Sequence, residues 1–166
     1  MLTQIQAQYL LDLPKEIDGG IKSFDLAQEK ITFKLTSPDD DDWTFLVKIN
    51  SSRKISFRIS FHHQEDKTKE GLLRIDYNSG HRNPEVANQF VPDFLVPYTG
   101  IWIQNEPHIH FFVESYKDLA WAIPLKDYSQ FSVTEINNMS DFSNAFYAFA
   151  DKIKITTKFA VQQGII

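Results

Sequence analysis

Alternation of apolar and polar residues dominates the middle of the chain. Ile31, Phe33 and Leu35 alternate with Thr32, Lys34 and Thr36, the period of two that marks a half-buried strand. Trp43, Phe45, Val47 and Ile49 repeat the pattern, with Thr44, Lys48 and Asn50 on the other side. Ile55, Phe57, Ile59 and Phe61 follow against Lys54, Ser56, Arg58, Ser60 and His62. Leu73, Ile75 and Tyr77 come next, against Arg74, Asp76 and Asn78. The polar stretches 37–42 and 64–71 read as connections. Residues 108–114 and 119–125 form a further hairpin, and Pro124 predicts an edge position or a strand end there. The pattern predicts an antiparallel meander with one wet face.

The ends of the chain change period. Ile5, Tyr9 and Leu13 stand four apart, with Leu2 and Leu10 nearby, and predict a helix within residues 2–13 that Pro14 closes. Asp18-Gly19-Gly20 then turns the chain. Near the other end, Ser140 is the expected N-cap of a helix whose Phe142, Phe146, Phe149 and Ile153 keep helical spacing, with Gly164 as the stop. Between the sheet segments, residues 78–107 break the rhythm with Pro84, Pro92, Pro97 and Pro107. Phe90, Phe94, Leu95, Tyr98 and Trp102 predict that this long loop is packed rather than disordered, with a short strand at 101–104. The expected fold is α+β, a single domain over residues 1–166, with a mostly antiparallel sheet flanked by an N-terminal and a C-terminal helix.

Composition narrows the chemistry. The 166 residues include no cysteine, which excludes disulfides, thiol nucleophiles, Cys-based zinc and iron–sulfur sites. No apolar run approaches the roughly 20 residues that span a bilayer, and no secretion signal opens the chain, so a soluble cytoplasmic protein with no membrane partner is expected. The net charge of −5 speaks against broad, nonspecific nucleic-acid binding and suits docking on a basic partner. Walker, Rossmann, G-x-S-x-G and H-E-x-x-H motifs are absent.

Chemistry therefore falls on histidine. Of five histidines, His81, His108 and His110 lie in one region. Pro107-His108-Ile109-His110, followed by Glu114, places residues 108, 110 and 114 on one strand face by parity. The segment from Arg74 and Asp76 into His81-Arg82 leads to the start of the long loop. If the two strands are neighbours, Asp76, His81, Arg82, His108 and His110 meet at one sheet edge as a catalytic set. Two neutral imidazoles, with ordinary pKa near 6.5, supply an acid and a base, and Arg82 or Lys117 would neutralise a phosphate. This is the outline of a metal-independent ribonuclease, with no cofactor and no metal assigned.

The spacing H-x-H-x-x-x-E also resembles the first metal-binding motif of the cupins. However, Gly100 lies too far upstream, Trp121 stands where the trailing glycine belongs, and no second motif follows. LLRIDYNSGHRNP, VPDF, PHIHFFVE with its following YK, and WAIPL, as an ordered set, resemble an uncharacterised family of small bacterial and prophage-encoded domains. The same R-x-D and H-x-H strands flanking a loop are similar to some small toxin-related domains. Neither resemblance implies a reaction.

Several patterns read as structural. Arg58 and Asp76 are expected to pair across a hairpin, and His62-His63 to be solvated beside a polar turn. Asp39 to Asp42 reads as a solvated tip, and Lys152, Lys154 and Lys158 as the exposed face of the last helix. Two functional expectations stand. One is a toxin-like ribonuclease acting on RNA. The other is a non-enzymatic, phage-borne binding or inhibitor protein that docks on a basic host-protein surface.

Overall fold

Strand pairing in register turns each apolar stripe into a row of the core. The computed structural model describes residues 1–52 and 57–164. Along the chain run α1 (Gln4–Asp12), β1 (Glu16–Ile17), β2 (Ser23–Asp25), β3 (Lys30–Thr36), β4 (Thr44–Ser52), β5 (Arg58–Glu65) and β6 (Gly71–Tyr77). They are followed by β7 (His81–Arg82), β8 (Trp102–Ile103), β9 (His108–Phe111), β10 (Trp121–Pro124), α2 (Met139–Lys152) and β11 (Ala160–Gln162). Among the described residues a seven-stranded sheet runs in the order β1-β3-β4-β5-β6-β9-β10. All its pairings are antiparallel. The α+β class follows, with a helix near each end of the chain. The expected strand positions Lys54, Ile55 and Ser56 lie outside the described residues, and β5 begins only after a turn at Phe57.

On one face, Ile31, Ile49, Phe61, Ile75, Ile109 and Ile123 stand in line across β3, β4, β5, β6, β9 and β10. Phe33, Val47, His63, Leu73, Phe111 and Trp121 form the next row. Helix α2 lays Phe142, Phe146 and Phe149 on Phe61, with ring separations of 6.0, 6.1 and 5.3 Å. Its apolar stripe is thus the expected one, but its start and stop differ. Asn138, in extended backbone, accepts from the Asp141 N–H at 2.8 Å and caps the helix two residues ahead of Ser140. The helix ends at Lys152, well short of Gly164, and β11 then pairs in parallel with β2. Lys154 and Lys158 consequently lie beyond the helix, and Lys152 is half-buried, donating to the Tyr128 hydroxyl at 2.6 Å.

Helix α1 presents a different face from the expected one. Thr3 and Gln6 form a capping box, and Leu2, Ala7, Leu10 and Leu13 are buried. Ile5 is 83 % exposed and Tyr9 48 %. Anchoring at both ends, by Leu2 and Leu13, rotates the Ile5–Tyr9 stripe outward. The Tyr9 hydroxyl instead donates to Asp40 at 2.7 Å and ties down the acidic turn.

One side chain fastens the start of the long loop to the edge of the sheet. Buried Asn83 accepts from the Ala122 N–H at 2.8 Å and donates to the Ala122 carbonyl at 2.7 Å. It mimics a further strand on the edge strand β10, which otherwise exposes unpaired main-chain groups. The expected short strand near 101–104 appears as β8, paired with β7.

Candidate functional site

The same register orders the polar face. Lys30, Asn50, Ser60, Asp76 and His108 form one cross-strand row, and Thr32, Lys48, His62, Arg74, His110 and Ala122 the next. Asp76 and His108 are therefore direct neighbours, as are Arg74 and His110. Asp76 Oδ2 lies 3.0 Å from His110 Nε2 and 3.6 Å from His108 Nε2. Arg74 Nε donates to the other oxygen, Oδ1, at 2.9 Å. His81, on β7, sets its ring edge-on to His110 at a centroid separation of 4.6 Å and 6.0 Å from His108.

This part of the face is not wet. Relative exposure is 3 % for Asp76, 0 % for His108 and 5 % for His110, while His81 is half-buried. The expectation of a fully solvated face is corrected here, because the 78–107 segment and the 115–120 turn fold over the end of the sheet.

Each imidazole is held by a main-chain carbonyl. His108 Nδ1 lies 2.7 Å from the Glu106 oxygen, His110 Nδ1 2.8 Å from Leu119 and His81 Nε2 2.7 Å from Ala120. The turns that aim these carbonyls contain left-handed, non-glycine residues: Asn105 before Glu106, and Ser115, Asp118 and Leu119 before Ala120. Such conformations cost on the order of 1 kcal/mol each and persist only where packing over-determines them. The orientation of the histidines is thus built in.

Burial alone would raise the Asp76 carboxyl, but His108, His110 and Arg74 hold it well below the usual carboxylate range. Burial lowers His110 despite the facing carboxylate, and lowers His81, with His110 adding to the effect. Asp76 also forms part of the wall of a cavity of about 430 Å³ that Glu29, Lys30, Arg58, Arg74 and Ser79 help to line.

Of the residues singled out in the sequence, Asp76, His81, His108 and His110 are brought together. Arg82 is not. It follows His81 directly in a strand, so its side chain leaves by the opposite face, where it pairs with Glu85 and lies 6.0 Å over the Trp102 ring. Glu114 also departs from the expected face, because β9 ends at Phe111; its carboxylate accepts from the Gln4 N–H at 2.7 Å. Lys117 is exposed on the 115–120 turn and does not line the cavity. Asp76 lies opposite Ser60, and its guanidinium partner is Arg74 rather than Arg58.

His62 and His63 sit within β5 rather than beside a turn, one on each face. His62, lowered to about 4 by burial and by Arg74 and Lys48, is half-buried, and His63 is wholly buried against Phe45. Arg74 was legible as part of the R-x-D strand, through its spacing of two from Asp76, but was not counted in the catalytic set.

A family model described as a family of unknown function (DUF6978) matches residues 2–155. No curated protein and no solved structure matches the chain.

Proposed function

The chain belongs to this family of unknown function, which lends it no reaction, and we propose from the site's own chemistry that it is a phosphodiester-cleaving enzyme acting on RNA. The observation that supports this reading is the cavity beside the cluster. Lys30, Arg58 and Arg74 line it, Asp76 is in its wall, and it extends to Ser79, two residues before His81. Three cations there offset Glu29 and Asp76 and offer a phosphate site, and guanidinium groups bind phosphate oxygens in pairs. Arg58 and Arg74 would take the part expected of Arg82.

His81 is the imidazole nearest solvent. Its Nε2 donates to Ala120, so Nδ1 is the basic atom, and a lowered pKa keeps the ring neutral near pH 7. It would take the proton of a ribose 2′-hydroxyl as that oxygen bonds to phosphorus, while the arginines hold the phosphate, and return the proton to the 5′-oxygen as its P–O bond breaks. Buried His110 and Asp76 would fix the ring environment beneath it. A cytoplasmic, toxin-like protein of bacterial or prophage origin fits this activity.

Incubation of the full chain with mixed RNA substrates should give new cleavage ends, and His81→Ala and Arg74→Ala should reduce the rate by about 100-fold or more. No cleavage, or cleavage indifferent to His81→Ala in a folded variant, would sink the reading.

A second reading rests on a different surface. Val86, Phe94, Val96, Ile101 and Trp102, all on the long loop, are exposed, and apolar side chains gathered on one loop mark a docking surface. A non-enzymatic binding or inhibitor protein of phage origin, docking on a basic host protein, would use them. A complex from the host lysate that Trp102→Ala abolishes and His81→Ala leaves intact would favour it over the enzyme.

A further inference from the structure

We infer that Asp76, His108 and His110 form a binding site for a divalent first-row transition ion. Each of the two imidazoles commits its Nδ1 proton to a main-chain carbonyl, His108 to Glu106 at 2.7 Å and His110 to Leu119 at 2.8 Å. Those partners assign the tautomer and leave both Nε2 atoms as bare lone pairs. Both face the same carboxylate oxygen, Asp76 Oδ2, at 3.0 and 3.6 Å, and the three donor atoms lie within 4.8 Å of one another. Three electron-rich atoms aimed at one another in a buried site repel unless a cation lies between them.

A proton on His110 could serve Asp76, but it would leave His108 unserved. His108 is fully buried, and its Nε2 makes no hydrogen bond among the described residues. A metal ion satisfies all three donors at once.

The surroundings are those a ligand set requires. Metal-bound imidazoles carry their second N–H on a carbonyl or carboxylate, and ligating carboxylates are themselves hydrogen-bonded. Here both Nδ1 atoms have carbonyls and Asp76 Oδ1 has Arg74. Bonds of about 2.0–2.2 Å to zinc place neighbouring donors roughly 3–3.5 Å apart. The two edges that share Asp76 already nearly match, at 3.0 and 3.6 Å, and the His108–His110 edge, within 4.8 Å, closes by up to about 1.3–1.8 Å on binding.

Two imidazoles and one carboxylate select Zn²⁺, Fe²⁺ or Co²⁺ over Mg²⁺ and Ca²⁺. Three protein ligands leave a coordination position for water or substrate, and Asp76 connects the site to the cationic cavity. The proposal stands independently of the RNA reading, although such an ion would supply an electrophile that the misplaced Arg82 cannot.

Chelator-stripped protein is titrated with Zn²⁺ by calorimetry and with Co²⁺ by visible absorption. About one equivalent should bind, Co²⁺ should show the strong visible bands of a four- or five-coordinate site, and Asp76→Asn or His108→Gln should weaken binding at least about tenfold. Circular dichroism checks that each variant is folded, and the Co²⁺ spectrum of the natural chain decides the matter if neither is. Absence of stoichiometric binding, a spectrum of the free aquo ion, or unchanged affinity in folded Asp76→Asn overturns the proposal. Metal binding without RNA cleavage leaves it standing and removes the enzyme reading. RNA cleavage by a chain that binds neither ion overturns it and leaves the enzyme reading in place.

Discussion

Lys15 is the most exacting test of how this core is balanced. It lies just after α1 with a relative exposure of 0 %. Its Nζ donates to the carbonyls of Leu13 and Ile153 at 2.9 Å and of Leu11 at 3.2 Å, so it closes the C-terminal ends of α1 and α2 together. The amine also lies 4.9 Å over the Phe45 ring. Burial pushes its pKa down to about 7, with Asp12 opposing and Lys154 assisting.

Between that value and the unfolded value of about 10.4, the native chain holds the amine neutral while the unfolded chain holds it protonated. The unfolded state then binds more protons, and stability rises with pH. From about pH 7 to about pH 9 the gain integrates to about 2 kcal/mol. Lys15→Met keeps the length of the side chain and cannot titrate there. Burial holds His63 well below its ordinary value, so it stays neutral throughout this range.

Urea unfolding of both proteins, followed by tryptophan fluorescence at several pH values, reads the difference directly. The advantage of Lys15 over Met should widen by about 2 kcal/mol across that interval. Parallel curves would refute the reasoning. They would mean that the three carbonyls, which need all three N–H groups of an ammonium, outweigh burial and keep Lys15 charged in the core.

Phe146→Ala should cost about 3–5 kcal/mol of unfolding free energy, since its ring packs on Phe24, Phe33, Phe61 and Phe159 at 5.2 to 6.2 Å. A loss below about 1 kcal/mol in denaturant titration would contradict that packing. Asn138→Ala removes the cap of α2 and should cost about 1 kcal/mol, whereas Ser140→Ala should cost less, with thermal unfolding ranking the pair. Ile5→Glu should leave stability within about 0.5 kcal/mol, because that side chain faces solvent. A large loss on chemical denaturation would restore the stripe that the spacing of Ile5 and Tyr9 suggested.

The order of the sheet explains how one short chain supports both a core and a polar cluster. A strand that lends Ile75 to the apolar row must lend Arg74 and Asp76 to the other face, and β9 does the same with Ile109 between His108 and His110. The buried carboxylate and two of its histidines thus ride on β6 and β9 of the main sheet. Their orientation is finished by loops: the turn through Leu119 and Ala120 supplies one carbonyl to His110 and the next to His81. A site placed on strands and trimmed by strained turns is pre-organised, which both the proposed catalysis and the proposed metal site require.

By itself the sequence determined what alternation and spacing can carry. Ile31 to Leu35, Phe45 to Ile49 and Leu73 to Tyr77 become strands, and Phe142 to Phe149 a buried helical stripe, because burying one face against a core imposes a period on the chain. The absence of cysteine and the grouping of His81, His108 and His110 were likewise legible, as was Asp76 in their company.

Tertiary structure decided the rest. Which strand lies beside which is a long-range choice, and only the pairing of β6 with β9 sets Asp76 against His108 and His110. Consecutive strand residues diverge, so His81 joins the cluster and Arg82 leaves it, and His63 enters the core while His62 does not. Glu114 lost its place because β9 ended first. The proton count at the cluster depends on carbonyls of Glu106 and Leu119, which every residue possesses and no side-chain pattern reveals; only the folded chain brings them to the imidazoles.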